Sequence, residues 1–225
     1  MKSKKKILIF GSSGLLGNYL FKKLKKNFRV FGCQHKNKNN NFFNIDISYI
    51  DQTTNIIKKI KPDVIINCIG YTDVIKCEIN KIHAIKLNTL SVYNIISSLR
   101  NLKKKTHLIH ISTDQIYNNK NLLKKNFEKE INPLNFYGIT KMLGENQTLN
   151  YKRKTILRTN FFGKTTCTKN SYSDFLIFNL KRKNSINHPQ PVQNSQKADR
   201  FHNCHFQLHP TRVSTRHTCK YDMVL

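Results

Sequence analysis

The sequence predicts an α/β protein with a doubly wound parallel sheet. Three observations carry that expectation. Short runs and helical patterns alternate from residue 7 to residue 157. The runs are near-continuously apolar, as strands covered on both faces require. The first run also passes directly into a glycine loop that opens a helix. Ile7-Leu-Ile-Phe10 follows a basic leader and reads as a buried strand. From Gly14 to Lys26, Leu15, Leu16, Tyr19, Leu20 and Leu24 recur at helical spacing. Phe28 to Phe31 is the second strand, and Ile50 to Ile60 is a helix stopped by Pro62. Val64-Ile-Ile-Asn-Cys68 is the third strand, and Ile79 to Leu99 carries one long helical pattern. His107 to Ile111 is the fourth strand, Gly138 to Leu149 a helix, and Thr155 to Leu157 the fifth strand. No internal repeat is present.

A length of 225 residues allows one domain, or one and a fragment. A hydrophobic share of 38% is low but sufficient for one core, and 14 Phe in periodic runs exclude full disorder. No apolar run approaches the ~18 residues that cross a bilayer, so membrane insertion is not expected. The basic, then apolar, start imitates a signal peptide, but Gly11-Ser-Ser-Gly14 interrupts it after four apolar residues. Six Cys, with no paired spacing in the first 186 residues, argue against a disulfide framework and for a reducing cytoplasm.

The net charge of +28 suggests a nucleic-acid binder. The lysines are spread over helix faces and loops, however, and only 8 of 40 basic residues are Arg, the better reader of bases and phosphates. Lys, Asn, Ile and Phe are abundant together, and all four use A/T-rich codons. Nucleic-acid binding is therefore not expected as the main role, although the positive potential would draw a phosphate-bearing small ligand.

Gly11-Ser-Ser-Gly14-Leu-Leu-Gly17 has a specific physical logic. Gly11 permits the tight turn, Gly14 lets backbone approach a pyrophosphate, and Gly17 allows close helix–strand packing. The helix N-terminus then offers free N–H groups to phosphates. This context makes the fold Rossmann-like and the ligand a dinucleotide. The second strand normally ends in an acid that holds a ribose hydroxyl. Here Phe31-Gly-Cys-Gln-His35-Lys36 supplies none, and His35 and Lys36 would suit a 2′-phosphate. The cofactor is thus expected to be NADP(H), with NAD(H) left open.

Tyr137-Gly-Ile-Thr-Lys141 puts a phenol and an amine on one helix face. About one such pair is expected by chance from 9 Tyr and 32 Lys, and Tyr19 with Lys23 is one. Position distinguishes Tyr137, which lies 24 residues after Thr113 at the end of the fourth strand. Ligands of open parallel sheets sit at such carboxyl ends. Reducing a ketone needs hydride on carbon and a proton on oxygen. A phenol of pKa ~10 is a poor acid–base group at neutral pH, and a nearby ammonium is expected to lower it. Thr113 would donate to the same substrate oxygen.

After Ile186 the composition changes. Residues 1–186 hold 25 Ile and residues 187–225 none, while the latter hold 5 of 9 His and only 2 of 32 Lys. His202, Cys204, His205, His209, His217 and Cys219 are candidate metal ligands, but their spacing fits no standard zinc pattern, so no metal site is assigned. The expected organisation is a dinucleotide-binding domain over 1–186 and a compositionally foreign tail over 187–225, disordered or read out of frame.

Taken in order, several segments resemble the extended short-chain dehydrogenase/reductase superfamily, and within it the dTDP-4-dehydrorhamnose reductase family. They are Gly11 to Gly17, Asp46-Ile47, Pro62 to Thr72 with Lys76-Cys-Glu78, Asn88, His110-Ile-Ser-Thr-Asp114, Asn132 to Glu145, and Arg158 to Gly163. The resemblance covers residues 5 to about 185. It implies that Gly14, Leu15 and Leu16 contact the pyrophosphate, Asp46 and Ile47 flank the adenine, and Cys68, Ile69 and Gly70 line the cofactor groove. It also implies that Tyr137 donates the proton, that Lys141 holds the nicotinamide ribose and tunes Tyr137, and that Thr113 and Asp114 face the sugar. The implied reaction is NAD(P)H-dependent reduction of a nucleotide-linked 4-keto-6-deoxy sugar in deoxysugar and polysaccharide biosynthesis. The alternatives are an epimerase or dehydratase on the same scaffold, or a non-catalytic nucleotide-binding subunit. Partners expected are the nucleotide-sugar substrate and, optionally, a second copy in a homodimer. Gln115 stands where family members often carry an aromatic residue, and Phe161 where they often carry Trp. The family's C-terminal substrate-binding portion is not found in 187–225, and is expected to be missing or aberrant.

Overall fold

Ile7 to Phe10 leave no face for water: Leu8, Ile9 and Phe10 are fully buried. Leu8 and Phe10 pack with Ile57, Ile65, Val92, Ile95 and Leu108. Ile7 and Ile9 pack with Ile66, Leu20, Leu24 and Val30. A strand with two apolar faces needs a layer on each side, which parallel crossovers supply. The computed structural model describes residues 3–35, 41–117, 131–159 and 220–222.

The strands are β1 (Lys6–Phe10), β2 (Arg29–Gln34), β3 (Phe42–Asn44), β4 (Val64–Asn67), β5 (His107–Ser112), β6 (Lys154–Arg158) and β7 (Lys220–Asp222). They form one sheet in the order β3-β2-β1-β4-β5-β6-β7, with every pairing parallel. Helix α1 (Leu15–Leu24) covers the Ile7 and Ile9 face, while α2 (Ile50–Ile60) and α5 (Ser91–Arg100) cover the other. The strand order reverses between β1 and β4. This is the doubly wound arrangement, whose ligand crevice lies at the carboxyl ends beside the reversal.

Several elements differ from the sequence expectation, four of them with a visible cause. Strand β2 runs three residues further, because Gly32 and Cys33 pair with both β1 and β3, and Gln34 pairs with β3. Strand β3 was not expected; three residues are too few to show a period. The single helix expected over 79–99 is instead α3 (Val74–Ile79), α4 (Lys81–Ile85), a π-helical segment (Lys86–Leu90) and α5. Asn80 interrupts it as a new cap, its side chain accepting from the His83 N–H at 3.1 Å. Helix α6 (Phe136–Gln147) begins two residues early, because Asn135 caps it by accepting from the Gly138 N–H at 2.7 Å.

Residues 220–222, inside the segment expected to be disordered or out of frame, pair with β6 from Ile156 to Arg158. Lys36, residues 160–186 with Phe161 among them, and the other residues of the tail lie outside the described residues. Among the described residues no helix is long and apolar enough to cross a membrane.

Helix α6 is held to the sheet by a buried ion pair. Arg158 donates from Nη2 to Glu145 Oε2 at 2.6 Å and from Nε to Oε1 at 3.0 Å, and from Nη1 to the Tyr117 hydroxyl at 2.6 Å. Both charged side chains are only 6% exposed, so either one alone would be an uncompensated buried charge. Arg158→Met is expected to lower the unfolding free energy by about 3–5 kcal/mol in urea denaturation, and adding Glu145→Leu to recover most of it.

Candidate active site

At the carboxyl end of β1 the chain turns back through Gly11, whose φ of +82° is left-handed. A Cβ there would also lie 3.0 Å from the Cys68 carbonyl carbon. Gly17, in the first turns of α1, is buried, and a Cβ on it would collide with the Gly11 carbonyl. Gly14, the N-cap of α1, is exposed and makes no side-chain cap, so no capping side chain occupies the first-turn N–H groups. That cradle is what a diphosphate requires.

A cavity of about 330 Å³ opens above this loop. Its walls come from the ends of four strands: Phe10, Gly11, Ser13 and Gly14, Cys33 to His35, Ile45 to Ile47, and Cys68 to Gly70. His83, Lys86 and Leu87 close it from α4 and the π-helical segment. Gly11, Gly14, Asp46, Ile47, Cys68, Ile69 and Gly70 are therefore brought together as lining residues. Leu15, Leu16 and Gly17 do not line it; the two leucines are half-buried in the first turn of α1. Sequence reasoning missed Ser13, Gln34, His83, Lys86 and Leu87. The last three carried no signal, since the π-helical segment changes which side of the helix pattern faces the sheet edge.

Asp46 is the acid at this cavity. Partial burial pushes its carboxyl up, but two bonds from Ser48, with His35 and Lys86 nearby, outweigh that and hold it below the usual carboxylate range. The Ser48 hydroxyl and N–H donate at 2.5 and 2.9 Å, and His35 Nε2 lies 3.4 Å from Oδ2. Thus β2 ends without an acid, and one from the segment after β3 stands beside His35 instead.

Thr113, Tyr137 and Lys141 do not line this cavity, but they gather at the same end of the sheet. Thr113 follows β5, and its side chain lies close enough to the Tyr137 phenol to act on its titration. Lys141, one turn along α6, donates from Nζ to the Ile111 carbonyl at 2.6 Å. Cys68 joins the two regions, lining the cavity and lying close enough to Lys141 for the charges to interact. Asp114 is exposed, and its Oδ1 accepts from Thr113 Oγ1 at 3.3 Å.

Burial dominates the titration of the pair. It pushes the Tyr137 phenol up to about 12, with Thr113 pulling the other way. The expectation that an ammonium lowers this phenol is therefore corrected: desolvating the phenolate costs more than its surroundings return. Burial likewise brings the Lys141 ammonium down to about 8, against the upward pull of Glu145 and Cys68. Among the described residues no group of His, Cys, Asp or Glu could hold a metal ion, and the candidate ligands of the tail lie outside them.

Because Gly11 is both left-handed and crowded by Cys68, Gly11→Ala is expected to cost about 1–3 kcal/mol of stability, measured by urea unfolding.

Residues 5–196 match the family model described as the RmlD substrate binding domain, ten residues past the composition break. The dTDP-4-dehydrorhamnose reductase of Aggregatibacter actinomycetemcomitans is 32% identical over 154 residues, covering 68% of this chain and 49% of its own length. The methionine adenosyltransferase 2 subunit beta of Danio rerio is 27% identical over 148 residues, covering 65% and 44%. The chain thus spans about half the length of these curated relatives. A solved dTDP-4-dehydrorhamnose reductase of Bacillus anthracis, in complex with NADP, superposes with a TM-score of 0.67 at 24% identity, over 82% of this chain and 62% of that one. The parallel sheet, the glycine loop and the match over most of the chain lead to one conclusion: this chain belongs to the RmlD substrate binding domain family.

Proposed function

We propose that the chain carries the NAD(P)H-dependent reduction of a nucleotide-linked 4-keto-6-deoxy sugar, as a dTDP-4-dehydrorhamnose reductase does. The observation that supports this most is the grouping of Thr113, Tyr137 and Lys141 where β5 meets α6. The glycine cradle, with no capping side chain on its N–H groups and no Cβ at residue 14, fits a diphosphate, and the cavity fits the adenosine end of a dinucleotide. Gly14 would meet the pyrophosphate from the N-terminus of α1, with Leu15 and Leu16 adding N–H donors. Ile47 and Asp46 would flank the base, and Cys68 to Gly70 the path toward the nicotinamide.

A reduced nicotinamide supplies the hydride. The residues of the chain then manage the oxygen. Tyr137, with its phenol at about 12, is protonated at neutral pH, which is the form that gives up a proton. Thr113 donates to the same oxygen and, with Asp114, faces the sugar. Lys141, whose ammonium Glu145 supports from one turn further along α6, would hold the nicotinamide ribose beside that phenol. Such proton transfer contributes about 10²–10⁴-fold.

NADP(H) is the favoured form. His35 and Lys86 place basic groups around the ribose end, as a 2′-phosphate needs. Asp46 beside them is the group that would instead take a ribose hydroxyl and admit NAD(H). The reading places the domain boundary at the composition break, with residues 1–186 as the dinucleotide-binding unit, and the reaction in the cytoplasm. A homodimer belongs to it as well. Ile82 and Tyr93 expose 82% and 46% of their surface on the outer side of α4 and α5, where a second copy would bury them.

A second reading is a nucleotide-holding subunit without turnover. It is favoured by the subunit named among the relatives and by the buried, high-pKa phenol. The full chain mixed with a dTDP-4-keto-6-deoxy sugar is expected to consume NADPH. Tyr137→Phe is expected to lower kcat by about 10²–10⁴-fold while leaving coenzyme affinity intact. A Tyr137→Phe chain with full biological activity selects the subunit reading. Coenzyme that stays bound through purification and is not consumed selects an epimerase or dehydratase.

The rate is expected to fall as pH rises through about 8, because Lys141 loses its charge there. A profile flat well above that value excludes the role given to Lys141. Gly14→Asp is expected to abolish coenzyme binding in a fluorescence titration, since a carboxylate would face the diphosphate.

A further inference from the structure

The turn that follows Thr113, a 3₁₀ segment over Asp114–Ile116, touches the start of α6 directly. A Cβ on Gly138 would lie 2.6 Å from the Gln115 carbonyl oxygen, so the two backbones are in contact. We propose that Gln115 is a positioning residue, fixing Tyr137 relative to Thr113 through its main chain and its side chain together. The inference rests on the reductase reading, in which those two groups share the substrate oxygen.

The links are short and continuous. The Gln115 N–H donates to Thr113 Oγ1 at 3.2 Å. Gln115 Oε1 accepts from Asn135 Nδ2 at 3.1 Å. Asn135 Oδ1 in turn accepts from the Gly138 N–H at 2.7 Å, capping α6 in the turn that carries Tyr137. A carboxamide caps a helix only one way round, since its NH₂ end cannot accept from an N–H. By accepting from Nδ2, Gln115 fixes the orientation in which Asn135 can cap. The same residue therefore governs the direction of the Thr113 hydroxyl and the seat of the Tyr137 turn.

A second clamp keeps the helix in place when this one is cut. Glu78, at the end of α3, accepts from the Phe136 N–H at 2.7 Å. Losing the Gln115 link is thus expected to loosen the first turn of α6 without unfolding it. The chemistry belongs to this sequence. By the family resemblance an aromatic residue often stands at 115, and an aromatic side chain has no carboxamide oxygen to offer Asn135.

The test uses the full chain with two substitutions. Gln115→Met keeps the length and removes the acceptor, whereas Gln115→Glu keeps an acceptor. Amide hydrogen exchange at Gly138 reads the link without any ligand, and NADPH consumption with a dTDP-4-keto-6-deoxy sugar reads its consequence. In Gln115→Met, exchange is expected to quicken by about tenfold. The same variant is expected to lose about 10–100-fold in kcat with the KM for NADPH unchanged. Gln115→Glu is expected to restore exchange and to recover kcat to within about threefold. Wild-type exchange and wild-type kcat in Gln115→Met overturn the proposal, as does a Glu variant as impaired as the Met variant. If the unsubstituted chain consumes no NADPH, the reductase reading fails, and the exchange comparison alone still decides whether Gln115 holds the helix.

Discussion

The arrangement depends on how closely α6 is pressed against the sheet. Lys141 must reach the Ile111 carbonyl at 2.6 Å, which brings an ammonium to within 3% of full burial. Several features exist to allow that approach. Gly144 has no Cβ, and one there would collide with the Asn88 carbonyl of the π-helical segment. Asn88 fills the remaining space by donating to Thr140 Oγ1 at 2.9 Å and to the Tyr71 carbonyl at 3.1 Å, while its Oδ1 accepts from the Tyr71 N–H at 2.7 Å. Thr89 donates to the Thr140 carbonyl at 2.9 Å. The loop after β4, the π-helical segment and α6 are thereby tied into one unit.

Burying charge in this layer is costly, and the chain offsets that cost with partners. Arg158 and Glu145 answer each other, and Glu145 also sustains the charge on Lys141. His110, fully buried on β5 beside Lys141, is held neutral because burial and the nearby ammonium both disfavour its cation. The net charge of +28 hardly enters this region. Among the described residues most lysines are exposed, and the local balance near α6 is set by a few groups excluded from water, where each interaction is stronger.

Both ends of the crevice use the same principle with opposite partners. At the glycine loop, side chains are withheld so that backbone N–H groups stay available. At α6, side chains are packed and capped so that a phenol and an amine have one place each. The sheet joins the two, because β1, β4 and β5 all finish at one edge.

The strands β1, β4, β5 and β6, the glycine loop and the Tyr137–Lys141 spacing were legible in the chain, since each is a local pattern with a local cause: apolar runs, a glycine at every third position, and a helical repeat. The family resemblance rests on those same segments. What the sequence left open came from contacts between distant residues. Strand β3 exists because β2 offers it an edge, and the helix over 79–99 breaks at Asn80 and swells at 86–90 because α6 lies against it. Lys86 joins the cavity only through that swelling. The direction in which Tyr137 titrates was also decided by tertiary packing, because spacing records which groups are neighbours but not how much water each has lost.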